Sequence, residues 1–216
     1  LDSLTLLQQN RRYVAFLNHN CHQLQRIIVG IDTVNNLRSG SLPFSPCITN
    51  LVTLTRDLCQ SVDHFVLGTG VHIDFVCEEE QILINLDIQL IEQVLLNLLC
   101  NGISAKPKDS TVHVSLCFDS PNAILTVADN GTGIEPGLLS SIFKYYETPR
   151  NLRGTLSRAG LGLAIVRGII ELHSGTVAIE STPDVGTTVR ISLPKNTGAP
   201  STALFREPRP RFRAIG

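Results

Sequence analysis

Asp129-Asn130-Gly131-Thr132-Gly133-Ile134 directly follows an apolar run, Ala123–Ala128, that predicts a strand. A carboxylate at the end of a strand can accept hydrogen bonds from an exocyclic amine. The glycines allow the backbone to approach a planar ring closely. Because the same residues are also good turn formers, a simple hairpin turn is the alternative interpretation when the stretch is taken alone.

A pair of asparagines lies upstream, on a helix that the apolar pattern predicts over Ile88–Ala105, with Asp87 as its N-cap. Asn97 and Asn101 are four residues apart, so they share one face of that helix. Their amide oxygens suit a Mg²⁺ ion held jointly with phosphates, because a hard cation prefers oxygen ligands. Alone the pair is a weak signal, since an asparagine on a helix is more often a solvated surface residue.

Two glycine segments lie downstream of the Asp129 stretch. Gly160-Leu161-Gly162-Leu163 opens a predicted helix, and the amides and dipole at a helix N-terminus can cradle phosphate. Gly186-Thr187-Thr188 precedes the last predicted strand and can close the same pocket. Predicted strands in runs, interrupted by separate helices, favour an α+β sandwich over regular βαβ winding.

In order and spacing these segments resemble the ATP-binding domain of the GHKL superfamily and, within it, the histidine kinases. The resemblance includes a phenylalanine segment around Phe143 and extends from about Val71 to Pro194. It implies a two-layer α+β sandwich that binds ATP with Mg²⁺. Asp129 would bind the adenine amine, and Asn97 and Asn101 would serve as the metal ligands. The residues implied to contact the cofactor are Asn97, Asn101, Asp129, Gly131, Gly133, Ile134, Phe143, Arg158, Gly160, Leu161, Gly162, Leu163 and Thr187.

The same resemblance makes the segment between Phe143 and Gly160 the mobile lid over ATP. This segment carries four cations and one acid, Glu147. A solvated basic loop is the alternative, but cations that close over a triphosphate explain the composition better. The cations are Lys144, Arg150, Arg153 and Arg158.

The N-terminal part predicts a long helix from about Leu4 to Leu37, because it contains no proline, one glycine and a seven-residue apolar repeat. A break at Ser39–Pro43 precedes a second amphipathic run that reaches Phe65. Two helices cannot close a core alone, so we predict that residues 1–67 form a hairpin that pairs with a second copy as a dimeric four-helix bundle. A hairpin packed on the rest of the same chain is the alternative. The repeat comprises Leu7, Val14, Leu17, Cys21, Leu24, Ile28 and Ile31.

His22 lies just off the packing stripe of the first predicted helix, where it would face solvent. The segment around it, Phe16–Gln25, resembles the phosphoacceptor segment of histidine kinases, with His22 in the acceptor place. The resemblance implies that His22, oriented by Gln23, takes the γ-phosphoryl group of ATP. It also implies a partner, the receiver domain of a response regulator, to which the phosphoryl group would pass.

Two departures from the family's pattern leave a second interpretation open. Gln23 stands where the family has an acid, and it can orient the imidazole but cannot act as a base. Arg158 stands where the second glycine segment usually begins with another glycine. A degenerate kinase that serves as a nucleotide-binding dimerisation or interaction module is therefore the alternative.

A GHKL ATPase is the less supported alternative. The hydrolases of the superfamily carry a glutamate four residues before the Mg²⁺ asparagine, because water must be activated before it attacks. Asn97 occupies that position here. A neutral imidazole already offers a lone pair at pH 7 and needs no such base.

Composition and charge limit the remaining function classes. The chain is 43% hydrophobic and 17% charged with a net charge of −1, which predicts a globular protein with no nucleic-acid partner. Its apolar runs are too short to span a bilayer, so we expect no membrane contact by this part and a cytoplasmic location, with any anchor outside this sequence. Six scattered cysteines predict a reducing compartment. The expected domains are the hairpin at 1–67, the ATP-binding domain at 68–194 and a tail or linker at 195–216.

Overall fold

The computed structural model describes residues 29–67, 69–105, 110–137, 139 and 158–195. Their order along the chain is one helix, then a mixture of strands and helices. The elements are α1 (residues 29–39), β1 (Cys47–Asn50), α2 (Leu51–Phe65), β2 (Val71–Val76), β3 (Leu83–Leu86), α3 (Ile88–Ser104), β4 (Ser110–Asp119), β5 (Asn122–Asp129), α4 (Arg158–Leu172), β6 (Thr176–Thr182) and β7 (Gly186–Pro194).

Five strands form one mixed sheet in the order β2-β4-β5-β7-β6. Strands β2 and β4 are parallel, and all other neighbours in this sheet are antiparallel. One face of the sheet is apolar: along β4, Val112, Val114 and Leu116 are buried while the residues between them are exposed or partly buried. Helices α3 and α4 cover that face and pack on each other. The predicted two-layer α+β sandwich is thereby confirmed.

Helix α3 begins where the sequence predicts it. Asp87 is its N-cap, and the side chain accepts a hydrogen bond from the Leu90 N–H at 3.1 Å. Such a cap typically contributes about 1 kcal/mol, because it satisfies a backbone donor that the helix itself cannot. The strongly apolar character of α3 follows from its position between the sheet and α4, where Val94, Leu95 and Leu99 are fully buried.

The second predicted helix of the hairpin lies elsewhere than expected. Helix α2 buries Leu51, Val52 and Cys59 in the same core as α3 and the sheet, and it contacts β2 and α3. The strand before it, β1, pairs with β3 as a separate two-stranded antiparallel sheet. The predicted boundary at residues 67 and 68 therefore does not separate two cores, and for α2 the alternative of packing on the same chain is correct.

Helix α1 also packs on this domain. Its buried face consists of Gly30, Thr33, Val34 and Leu37. The Gln93 Nε2 of α3 donates to the Thr33 Oγ1 at 3.0 Å, and a Cβ on Gly30 would lie 3.0 Å from the Ile165 Cδ1 of α4. The greater part of the first predicted helix, with His22 and Gln23, lies outside the described residues.

A buried histidine connects the linker after α1 to both helices of the core. The Nε2 of His173 accepts the Asp87 N–H at 3.0 Å, and its Nδ1 lies 2.8 Å from the Ile169 carbonyl, which fixes the proton on Nδ1. The ring of Phe44 packs edge-on against it at 4.9 Å between centroids. Asp87 Oδ2 accepts the Ser45 N–H at 2.8 Å. Burial lowers the pKa of His173, so the ring is neutral at pH 7.

Among the described helices, none is long and apolar enough to cross a membrane.

Candidate nucleotide-binding site

Three polar side chains form a row across one end of the sheet. Asp129 of β5 lies opposite Thr187 of β7, and Thr187 lies opposite Ser181 of β6. Side chains of directly opposed residues point to the same face of a sheet. Two residues further along, Val127 and Val189 are buried under the helices, so the row points to the helix-covered side.

The loop after Asp129 depends on its two glycines. The Gly131 N–H donates to Asp129 Oδ1 at 2.8 Å, and a Cβ on Gly131 would overlap the carbonyl oxygen of Ala105. Gly133 has a φ of +64°, and a Cβ there would overlap the carbonyl of Thr182. Only glycine therefore allows the loop to pass this closely between the end of α3 and the turn after β6.

The two asparagines lie beside the first turns of α4. A Cβ on Gly162 would lie 3.3 Å from Asn97 Oδ1 and 3.5 Å from Asn101 Nδ2. The Asn97 Nδ2 donates to the Gln93 carbonyl at 2.9 Å, which turns the Oδ1 away from that carbonyl. Amide oxygens next to a helix N-terminus suit a hard cation shared with phosphate oxygens. Within the described ranges, no three His, Cys, Asp or Glu side chains are grouped as a metal site.

The structure brings some of the predicted site residues together and places others elsewhere. Asn97, Asn101 and Gly162 meet at the crossing of α3 and α4, while Asp129 and Thr187 lie at the end of the sheet. Two predicted contacts face elsewhere. Leu163 is buried in the core. The side chain of Leu161 points to α1, where a Cβ added to Gly30 would lie 3.1 Å from Leu161 Cδ2. Arg158 and Gly160 contribute backbone to the first turn of α4, and Phe143, His22 and Gln23 lie outside the described residues.

Ser181 is a residue of this site that the sequence does not reveal. Its Oγ accepts the Ile134 N–H at 2.9 Å, lies 2.9 Å from the Gly186 carbonyl oxygen and 2.9 Å from Thr187 Oγ1. It thereby links the Asp129 loop to the Gly186–Thr187 turn. Ser181 belongs to no motif, and only the register of β6 against β7 places it beside Thr187.

Residues 86–197, just over half of the chain, match the family described as histidine kinase-, DNA gyrase B- and HSP90-like ATPases. The chain belongs to this family. Individual relatives confirm the predicted resemblance to histidine kinase cores with a GHKL domain. The signal transduction histidine-protein kinase AtoS of Escherichia coli is 32% identical over 205 residues, which cover 86% of this chain and 32% of AtoS.

Other relatives are similar over shorter or more divergent stretches. The sensor histidine kinase YvrG of Bacillus subtilis is 27% identical over 172 residues, covering 80% of this chain and 30% of YvrG. Sporulation kinase A of the same organism is 35% identical over 126 residues, covering 58% of this chain and 20% of that kinase. The chain thus spans a third or less of the length of these relatives.

Solved structures share the fold. The nucleotide-free catalytic domain of the histidine kinase ThkA has a TM-score of 0.59 at 25% identity, with 70% of this chain and 96% of that domain covered. Full-length ShkA in complex with AMPPNP has a TM-score of 0.69 at 22% identity, with 88% of this chain and 39% of ShkA covered. ThkA in complex with the response regulator protein TrrA has a TM-score of 0.65 at 22% identity, with 84% of this chain and 51% of that chain covered.

Proposed function

We propose that this chain is the catalytic core of a protein histidine kinase. It binds ATP with Mg²⁺, transfers the γ-phosphoryl group to a histidine, and passes it on to an aspartate in the receiver domain of a response regulator. The observation that carries the proposal is the convergence of Asn97 and Asn101 on Gly162 of α4, with Asp129 and Thr187 at the end of the adjoining sheet. Relatives named as sensor histidine kinases support it.

Different residues of this site bind different parts of the nucleotide. Asp129 and Thr187 bind the base, the two asparagine amides hold the metal, and the N–H groups at the start of α4 bind phosphate. A Mg²⁺ ion held by these amides would supply charge stabilisation for phosphoryl transfer. The chain itself must hold the γ-phosphoryl group in line with the acceptor, since positioning contributes most of the rate in such reactions.

Asn97 favours a kinase over a hydrolase. An amide cannot take a proton from water at neutral pH, and the Asn97 Nδ2 is already hydrogen-bonded to the Gln93 carbonyl. An imidazole needs no deprotonation by a base before it attacks, because the neutral ring carries a lone pair. We therefore propose phosphoryl transfer to histidine, rather than ATP hydrolysis, as the main reaction at this site.

We propose His22 as the acceptor and Gln23 as the residue that orients its ring. The sequence from Phe16 to Gln25 supports this assignment, because it resembles the family's phosphoacceptor segment and precedes α1, which packs on the ATP-binding domain. Gln23 and Arg158 favour one second candidate, a degenerate kinase that binds nucleotide and recruits partners without transferring phosphate.

We further propose that the chain is a homodimer through its N-terminal helix alone, since α2 belongs to the ATP-binding domain. Ile31, the last residue of the seven-residue repeat, is 47% exposed. At about 100° per residue, it lies roughly 110° around α1 from the centre of the face buried on the domain. The side of α1 that carries Ile31 thus differs from the side packed on the domain, and the proposed dimer would form through it. By its composition we place this part in the cytoplasm, without membrane or nucleic-acid contact.

Incubation with γ-labelled ATP and Mg²⁺ tests the kinase against the binding module. A phosphohistidine is a phosphoramidate, so the label on the protein should be lost in acid and retained in base. Phosphate on a serine or threonine would have the opposite stability. Tight nucleotide binding without any protein-bound label would favour the degenerate module, and release of inorganic phosphate alone would favour the ATPase.

A further inference from the structure

The hydroxyl of Ser181 takes part in three hydrogen bonds, and these determine where its single proton lies. The Ile134 N–H at 2.9 Å can only donate, so it occupies one lone pair of Ser181 Oγ. The Gly186 carbonyl oxygen at 2.9 Å can only accept, so it takes the proton of Ser181. Because a serine hydroxyl carries one proton, Ser181 has none left for its third neighbour, Thr187.

The direction of the bond between Ser181 and Thr187 follows from this count. The two hydroxyl oxygens are 2.9 Å apart, and one of them must donate. Since the Ser181 proton points to Gly186, Thr187 is the donor. Its one proton is thereby used inside the protein, and the Thr187 hydroxyl can offer only lone pairs to a ligand.

Asp129 has the same polarity as Thr187. The two residues are directly opposed on β5 and β7, and their side chains share the helix-facing side of the sheet. An ionised carboxylate only accepts hydrogen bonds, and Asp129 Oδ1 already accepts the Gly131 N–H. The edge formed by Asp129 and Thr187 therefore presents acceptors to the base of a bound nucleotide.

We propose that Ser181 is a positioning residue for base specificity. Because Ser181 accepts the proton of Thr187, the Asp129–Thr187 edge offers only acceptors. This edge therefore selects a purine with an amine at position 6 and rejects a purine with a carbonyl there. An amine offers two N–H groups to this edge. A carbonyl meets acceptors only, and its oxygen is left unpaired. The inference rests on the proposed function, because it assumes that a nucleotide base binds at Asp129.

The test is the ratio of the affinities for ATP and inosine triphosphate, which carry an amine and a carbonyl, respectively, at position 6. Inosine also carries a proton at N1, but this difference is the same for every variant, so a change in the ratio between variants reports on position 6. Calorimetry with Mg²⁺ should show that the native chain prefers ATP. Ser181→Ala frees the Thr187 proton to rotate toward a carbonyl, so it should bind inosine triphosphate more tightly and lower the ratio roughly 3- to 10-fold, the size of one neutral hydrogen bond. Ser181→Thr keeps the hydroxyl and should keep the native ratio. Ser115→Ala, on the opposite and solvent-exposed face of the sheet, is the matched control.

The outcomes separate this inference from the proposed function. If the native chain binds neither nucleotide, the proposed function fails. If it binds ATP but Ser181→Ala leaves the ratio unchanged, or weakens both nucleotides equally, Ser181 has only a structural role and the inference is overturned. The same holds if Ser181→Thr behaves like Ser181→Ala, because the effect would then come from side-chain shape rather than from the hydroxyl proton.

Discussion

Asp129 is the residue on which the proposed base-binding end of the site depends. It carries the carboxylate of the row, it accepts the N–H of Gly131, and its backbone lies so close to Gly186 that a Cβ on that glycine would overlap its carbonyl oxygen. Its side chain can be changed without disturbing the backbone contacts, because those involve its main-chain atoms. This separation makes Asp129 the sharpest single-residue test of the site.

Replacing Asp129 with alanine should weaken ATP binding by roughly 10- to 150-fold, because removing one partner of a charge-assisted hydrogen bond costs roughly 1.5–3 kcal/mol, and the loop bond to Gly131 is lost as well. Calorimetric titration with ATP and Mg²⁺ measures the change. Asp74→Ala is the control, since Asp74 is an exposed aspartate on the other face of the sheet. Unchanged ATP affinity in Asp129→Ala would contradict the assigned position of the base.

Substitutions of His22 and Gln23 test the proposed phosphoryl transfer. His22→Ala should abolish protein-bound label from γ-labelled ATP, because it removes the nucleophile. Gln23→Glu should speed labelling by up to about 10²-fold, since a carboxylate restores the proton acceptor that general-base catalysis uses. Label that persists in His22→Ala would move the acceptor elsewhere, with His19 as the first candidate. Equal rates in Gln23→Glu and the native chain would show that proton uptake does not limit the reaction.

Single residues also show where sequence-based prediction stops. Asn97, Asn101, Asp129 and the glycines of the loops could be predicted, because each belongs to a contiguous motif with fixed spacing. Ser181 could not, because it acts through strand register. The pair of His173 and Asp87 could not either, since the two are 86 residues apart and meet only when α3 and α4 pack.

Among the secondary-structure elements, α2 shows that an amphipathic pattern predicts a helix but not the surface on which the helix packs. The apolar run predicted for α2 only borders the face that is buried: Leu51, Val52, Thr55 and Cys59 are buried, whereas Leu54, Leu58 and Val62 are partly buried and Phe65 is 81% exposed. An amphipathic stripe is also equally compatible with packing on a second copy of the chain and with packing on a sheet of the same chain. The deciding feature is β1, whose four residues pair with β3 more than thirty residues later. So short a strand, preceded by two prolines, has no recognisable period in the sequence.

The junction of α3, α4 and the linker after α1 at His173 predicts a pH-dependent stability. Burial lowers the pKa of His173 below its ordinary value of 6.5, and the neighbouring Asp87 carboxylate does not outweigh burial. The unfolded chain therefore binds a proton at a pH where the folded chain does not. The stability is complete above about pH 6.5 and is lost as the pH falls from there toward the lowered pKa. We expect Tm to drop by a few degrees between pH 7.5 and 5.5.

His173→Gln separates this contribution from all other titrations. The glutamine amide can accept the Asp87 N–H and donate to the Ile169 carbonyl, but it does not titrate. The variant should start with a lower Tm at pH 7.5 because its shape fits less well, and it should lose less stability on acidification than the native chain. Thermal unfolding at both pH values provides the comparison. Parallel losses in the two proteins would show that His173 does not control the response.

In the molecule as a whole, helix α1 carries apolar residues on two different faces. Gly30, Thr33, Val34 and Leu37 pack on the ATP-binding domain, while Ile31 continues the apolar repeat of the preceding sequence on another side. A helix that packed only on its own domain would need a single stripe. The proposed dimer accounts for an apolar residue on this second side, because a second copy would supply the same repeat in register.

The dimer prediction can therefore be tested without touching the ATP-binding domain. Leu24→Glu combined with Ile31→Glu places two charges on the repeat, and buried unpaired charges should prevent association. Light scattering should give a dimer for the native chain at micromolar concentration and a monomer for the double variant, with ATP affinity unchanged. Val29→Glu is the matched control, because Val29 is 55% exposed on the same helix but lies off the repeat, so this variant should remain a dimer. A native chain that is monomeric, or a Val29→Glu variant that dissociates like the double variant, would contradict pairing through this stripe.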